Sequence, residues 1–186
     1  FWIGLNKWKD IEHIPNFYEF KHNKDVVDNN IVGFAARMET RKCPHFLQGI
    51  KSELTTDPKD VLWWKRNLDI DTTDWKIYKF NYEFLGKFYE RGWGISHSAH
   101  IYEPFGYSIF QAIDYGKLPI LAKDWLPKYD YPFRAQSPEE FKEQYETICK
   151  LSTKERQEYL VPLRDYLRKF DNKKQWTEQL LKLYNE

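Results

Sequence analysis

Two stretches of this chain place charged and glycine residues where a bound anion or sugar needs them. In the first, Arg37 and Lys42 stand five residues apart, directly before Pro44. Proline favours the first turn of a helix, so a helix is expected over residues 44–50. Two cations beside a helix N-terminus clamp a pyrophosphate, because the unsatisfied N–H groups and the dipole attract the same anion. The plainer alternative is a pair of solvated loop cations. The second stretch runs from Glu103 through Phe105, Gly106, Tyr107 and Ser108 to Gln111. A carboxylate before a glycine-containing turn accepts hydrogen bonds from sugar hydroxyls. Gly106 allows close backbone approach, and Tyr107 and Ser108 offer N–H groups at a helix start. Gln111 falls on the first turns of that helix. Singly, each residue has a plainer role as a cap, a turn or a helix surface.

Other residue types compete for attention. Asp69-Ile70-Asp71, with Asp57, Asp60 and Asp74 nearby, offers oxygen ligands for a divalent cation. The segment reads as a polar loop, and no metal site is expected there. His97 and His100 lie three apart beside Glu103, but Cys43 and Cys149 lack ligand spacing, so zinc is not expected. Loop positions are expected for both histidines. Trp63-Trp64 reads as buried core rather than a stacking platform.

Positioning these groups requires short strands alternating with helices. Strands are expected at residues 31–36, 61–64, 75–80, 93–96, 118–121 and 133–135. Helices are expected at 82–91, closed by Gly92, and at 107–115, closed by Gly116. Ser137-Pro138-Glu139-Glu140 starts a further helix with a capping box. The remainder to residue 186 is mostly helical, with solvated charged faces and breaks near Ser152, Pro162 and Asp171-Asn172. This alternation defines an α/β fold: a Rossmann-like parallel sheet flanked by helices, with a helical C-terminal end. Ligands of such sheets bind beyond the carboxyl ends of the strands, where both stretches fall. Residues 1–24 are aromatic and irregular, with Ile14-Pro15 forcing an extended or turn conformation, and read as a connector.

The composition narrows the functional classes. The chain has 186 residues, 29 Lys plus Arg against 28 Asp plus Glu, and a formal net charge of +1. That balance gives no global case for nucleic acid or an anionic membrane. Apolar residues make up 41% and charged residues 31%, which describes a globular chain with one full α/β domain. Apolar runs are too short for a membrane span or a signal peptide, so no membrane partner and a cytoplasmic location are expected. Two cysteines make no disulfide framework. The chain begins at Phe1 and its only methionine is Met38, so it reads as a fragment or processed product.

Together the two stretches resemble a known family. Gly33-Phe-Ala-Ala-Arg37 with Lys42 is similar to the element that opens the C-terminal domain of GT-B glycosyltransferases. Glu103-x-Phe105-Gly106 through Gln111-Ala112, Gly116 and Pro119 resembles the Glu-x7-Glu element of their retaining branch. Residues 88–96 and the aromatic-rich style are similar to the DNA α-glucosyltransferases of T-even phages, in a host cytoplasm. The resemblance implies that residues 25–186 form the nucleotide-sugar-binding domain, with 1–24 the trailing edge of a missing N-terminal domain. It implies transfer of a sugar with retention from a nucleoside-diphosphate sugar, a UDP-sugar being the expected donor, with no further cofactor. Mg²⁺ is left open. By the same resemblance Arg37 and Lys42 neutralise the diphosphate and Glu103 contacts the transferred sugar. Gly33 and Phe105 to Ser108 line the donor. Gln111 takes the place of a second Glu that holds the ribose, losing a charge-assisted bond. The acceptor, DNA among the options, belongs to the missing domain. A non-catalytic Rossmann-like nucleotide- or sugar-binding module, with Gln111 marking lost chemistry, is the alternative.

Overall fold

The computed structural model describes residues 16–184 except 102 and 104. The Ile14-Pro15 turn lies outside the described residues. Six strands form one sheet: β1 (Val32–Ala35), β2 (Ser52–Thr56), β3 (Trp75–Lys79), β4 (Ile95–Ser98), β5 (Leu118–Ala122) and β6 (Arg134–Ala135). Their order is β3-β2-β1-β4-β5-β6 and every pairing is parallel. Helices α1 (Pro58–Leu68), α2 (Tyr82–Glu90), α3 (Tyr107–Asp114), α4 (Pro138–Cys149), α5 (Thr153–Leu167) and α6 (Lys173–Tyr184) complete the expected Rossmann-like architecture. Among the described residues no helix is long and apolar enough to cross a membrane.

Alternation along β1 divides the core. Val32 and Phe34 join the larger apolar cluster, whereas Gly33 turns to the other face, against Trp93. There Phe88, Tyr89, Trp93, Ala112 and Tyr115 form a second cluster. A Cβ on residue 33 would lie 2.2 Å from the Trp93 ring, so only glycine admits the indole. The Trp93 Nε1 donates to the Phe88 carbonyl at 2.9 Å, and the Lys117 ammonium sits 4.7 Å from its ring centroid.

Residues 16–30 have no regular structure and are tied down by buried side chains of α3 and α5. The Asp114 carboxylate accepts from the backbone N–H groups of Lys21, His22 and Asn23 at 3.1, 3.0 and 2.7 Å. Arg156 and Arg164 of α5, expected on a solvated face, are buried. Arg156 donates to the Asn29 and Ile148 carbonyls, and Arg164 to those of Lys24 and Ile113. They satisfy carbonyls that the irregular segment and helix ends leave over.

Several sequence expectations are corrected. Residues 61–64 are helix, not strand. Asp57 caps α1 by accepting from the Lys59 N–H at 3.0 Å, Pro58 opens it, and Val61 and Trp64, three apart, are buried. The strand in this region is Ser52–Thr56, whose polar residues conceal it; β1 and β3 flank it on either side. The helix expected at 44–50 is a 3-10 turn, Pro44–Leu47, preceded by another at Thr40–Lys42. Gly92 does not close α2, whose cap is Arg91 in extended conformation, while Gly116 closes α3 with φ of 76°. Glu140 reaches the Gln136 N–H rather than that of Ser137, so the capping box is only half formed. A complete one starts α5, between Ser152 and Glu155. Pro162 does not break that helix, because Leu160, Leu163 and Leu167 are buried along it.

Gly33→Ala is expected to destabilise the fold by about 2–3 kcal/mol through overpacking against Trp93. Urea unfolding measures this, and unchanged stability would refute the packing role.

Candidate functional site

The strand order reverses direction between β1 and β4, so the loops leaving their carboxyl ends diverge and open a crevice. Lys42 comes from the β1 loop and Glu103 from the β4 loop. Their side chains form an ion pair across the opening, each about one-sixth exposed. The Ile101 N–H donates to the Arg41 carbonyl at 2.8 Å, joining the two loops at the backbone as well. Beside this pair lies a cleft of about 670 Å³. Arg37, Arg41, Lys42 and Lys79 supply its cations, and Asp57, Asp60 and Glu103 its carboxylates. Phe80 and Tyr82, both exposed, form an aromatic end at the exit of β3.

Glu103 is fixed from behind. Gly106, with φ of 78°, is the N-cap of α3, and a Cβ there would lie 3.1 Å from the Glu103 Cγ and 2.7 Å from Ile109. The glycine is therefore required by conformation and by contact. His100 Nδ1, 3.7 Å away, and the Lys42 ammonium hold the Glu103 carboxyl down at about 2, against burial that raises it. His97 is pushed down to about 3 by burial, and His100 is lowered chiefly by burial. Both rings are therefore neutral at pH 7.

The expected site residues divide into groups. Arg37, Lys42 and Glu103 meet at the cleft. Arg37 is a rim residue, three-quarters exposed, with its Nε 3.0 Å from Glu39. Glu39 also takes Arg41 at 2.7 Å, which with Arg37 holds its carboxyl below the usual range. Phe105 to Ser108 and Gln111 do not line the cleft, although Gly106 packs against the Glu103 side chain. Phe105 stacks on Phe110, rings 4.5 Å apart, and its carbonyl accepts from the Trp125 Nε1. Tyr107 is half exposed, and the Ser108 carbonyl accepts from the Tyr89 hydroxyl. The Tyr107 and Ser108 amides open α3 and by helix geometry have no intrahelical acceptor. Gln111 is half-buried on α3. Gly33 lies within β1, beneath Trp93, away from the cleft.

Competing candidates resolve on geometry. The Asp69–Asp71 loop precedes β3 and so lies at the amino ends of the strands, opposite the cleft. Asp69 caps α1 and Asp71 accepts from the Thr73 N–H and hydroxyl. The histidines are not loop surface. His97 lies in β4 with Nε2 2.8 Å from the Cys43 carbonyl, and both rings are 2% exposed. Trp64 is buried with Nε1 on the Met38 carbonyl at 2.8 Å, while Trp63 is 55% exposed. Cys43 and Cys149 are free thiols. Sequence reasoning placed Asp57 and Asp60 only beside the Asp69–Asp71 loop, and it missed Arg41, Lys79, Phe80 and Tyr82 as cleft residues. The rule that ligands gather after strand ends would have found the last three, since β3 was expected; the cleft position of Asp57 and Asp60 was hidden with β2.

A scan against protein-family models and a search of curated proteins each return no match. Solved structures do match. TarM of S. aureus, a mutant in complex with fondaparinux, alpha-GlcNAc-glycerol and UDP, superposes with a TM-score of 0.71 at 16% identity, over 98% of this chain and 41% of that one. Sucrose-phosphate synthase from Thermosynechococcus elongatus gives 0.67 at 16% identity, over 92% and 51%. The pneumococcal O-GlcNAc transferase GtfA, in complex with UDP and GlcNAc, gives 0.55 at 14% identity, over 91% and 37%. The chain spans about half or less of each of these proteins. The likeness is one of fold: this chain has the Rossmann-like α/β architecture found in GT-B glycosyltransferases.

Because the Glu103 carboxyl sits lower in the folded chain than its ordinary 4.5, its stabilising contribution is present above that value and lost as pH falls toward about 2. Urea unfolding across this range should show a shallower loss of stability in Glu103→Gln than in the native chain. An identical pH dependence would contradict the pairing.

Proposed function

We propose that this chain is the donor-binding half of a retaining glycosyltransferase that uses a nucleoside-diphosphate sugar. The observation that carries the reading is the meeting of Lys42 and Glu103 at the point where the sheet reverses, beside the glycine-opened start of α3. The UDP present with TarM and GtfA supports a uridine nucleotide as donor. In this reading the diphosphate displaces Glu103 from Lys42, with Arg37 turning in from the rim. The released Glu103 carboxylate accepts from hydroxyls of the sugar, and the α3 amides approach the phosphate. The exposed Phe80 and Tyr82 supply flat surfaces at the far end of the cleft for the base.

Transfer then proceeds on one face of the sugar. The acceptor oxygen bonds to the anomeric carbon as the bond to the diphosphate breaks, and the acceptor proton passes to the departing phosphate oxygen. Lys42 and Arg37 stabilise the negative charge that grows on that diphosphate. No protein nucleophile is involved. We propose further that a second domain holds the acceptor opposite this cleft, a DNA base being one acceptor the sequence resemblance allows. The donor is read as binding without a resident cofactor.

Calorimetric titration of the chain with UDP and GDP, with and without Mg²⁺, tests this reading. UDP is expected to bind without metal, with Lys42→Ala weakening it at least roughly tenfold, about 1.4 kcal/mol. Gln111→Glu should tighten binding if that side chain reaches the ribose. Glu103→Ala should abolish transfer in the intact enzyme while UDP still binds, because Lys42 is then left free for phosphate. A folded chain that binds neither nucleotide would contradict the donor reading and favour a module without this chemistry.

A further inference from the structure

His100 has no part in the donor reading as stated, and the inference below rests on that reading. The ring is 2% exposed and is walled by Phe34, 6.1 Å away between ring centres, and His97, 5.6 Å away. Neither of its nitrogens comes within hydrogen-bond distance of a partner among the described residues, although Nδ1 lies close enough to Glu103 to favour its carboxylate. Leaving a buried N–H unpaired costs about 1–3 kcal/mol, so an apolar side chain would fill this position at lower cost. An acceptor lies just out of reach. The Glu103 Oε2 is 3.7 Å from Nδ1, beyond hydrogen-bond length, and that same oxygen is engaged by the Lys42 ammonium.

The charged and titratable groups facing His100 are Glu103, Lys42, Arg41 and His97. Burial outweighs the attraction of Glu103 and keeps the ring neutral. A neutral imidazole carries a single N–H, and its position on Nδ1 or Nε2 follows the acceptor available.

We infer that His100 is a positioning residue for Glu103: when Lys42 turns to the phosphates of a donor, the Nδ1–H of His100 takes over the oxygen that Lys42 releases. The approach needed is about 1 Å, from 3.7 Å to ordinary hydrogen-bond length. No proton is transferred. One carboxylate oxygen is then held from behind, and the other accepts from a sugar hydroxyl. An uncharged donor suits this task. It fixes the carboxylate without placing a second cation that would compete with Lys42 for the phosphates.

Nitrogen-15 NMR of histidine-labelled chain, titrated with UDP, reads the tautomer without any mutation. The expected result is a neutral ring protonated on Nδ1 whose Nδ1 resonance moves as UDP saturates. A carbon-13 titration of Glu103 in the UDP complex supplies the second arm. Its midpoint should stay below about 4 in the native and His100→Asn chains and rise by roughly one pH unit or more in His100→Leu. Rescue by Asn, which restores an N–H donor, separates positioning from simple packing. An Nε2-protonated ring in the complex, or an unmoved midpoint in folded His100→Leu, overturns the inference alone. Failure of the native chain to bind UDP overturns the donor reading and this inference with it.

Discussion

A parallel sheet wound by right-handed crossovers has one place where its loops part, and in this chain that place lies between β1 and β4. The β1 loop heads toward β2 and the β4 loop toward β5, leaving a crevice that neither covers. The ion pair beside the cleft depends on what these two loops bring together. Lys42 and Glu103 close on each other there, so each of these two partly buried charges is satisfied by the other. The rest of the fold serves to hold the loops in place. Trp93 over Gly33 fixes β1 against the segment leading into β4, and Gly106 fixes the turn into α3 against the Glu103 side chain.

The division between apolar and polar burial follows the same logic. The central strands β4 and β5 are covered on both faces, which is why His97 and Ser98 are buried despite their polarity. Asp114 gathers three backbone N–H groups of residues 21–23, and Arg156 and Arg164 gather carbonyls, so the irregular segment before β1 becomes part of the packed structure. Buried polar groups with partners rigidify. His100, buried beside a carboxylate, has no hydrogen-bond partner among the described residues.

Much of this was legible in the sequence. Apolar β-branched runs located β1 and β5, helical spacing located α2, and Gly106 and Gly116 bracketed α3. The Glu103 stretch stood out because a carboxylate, a glycine turn and a helix start follow in order. Other features were illegible for physical reasons. Ser52–Thr56 is a central strand written in Ser, Glu and Thr, and its state is set by pairing with β1 and β3 rather than by its own hydropathy. Trp63-Trp64 reads as strand until the Asp57 cap and Pro58 are given their weight. The pairing of Lys42 with Glu103 spans 61 residues, and no local spacing announces it. The cleft residues Asp57 and Asp60 follow a strand that the sequence conceals.

A donor bound where β1 and β4 diverge would sit between loops that are far apart in sequence. Hydrogen–deuterium exchange of the chain with and without a UDP-sugar tests this placement most directly. Binding at this crevice predicts slower exchange in residues 37–43 and 101–108 together, with the loop at 69–74 unchanged. Slowed exchange at 69–74 with the two site loops unaffected would place the ligand at the amino ends of the strands and contradict this placement.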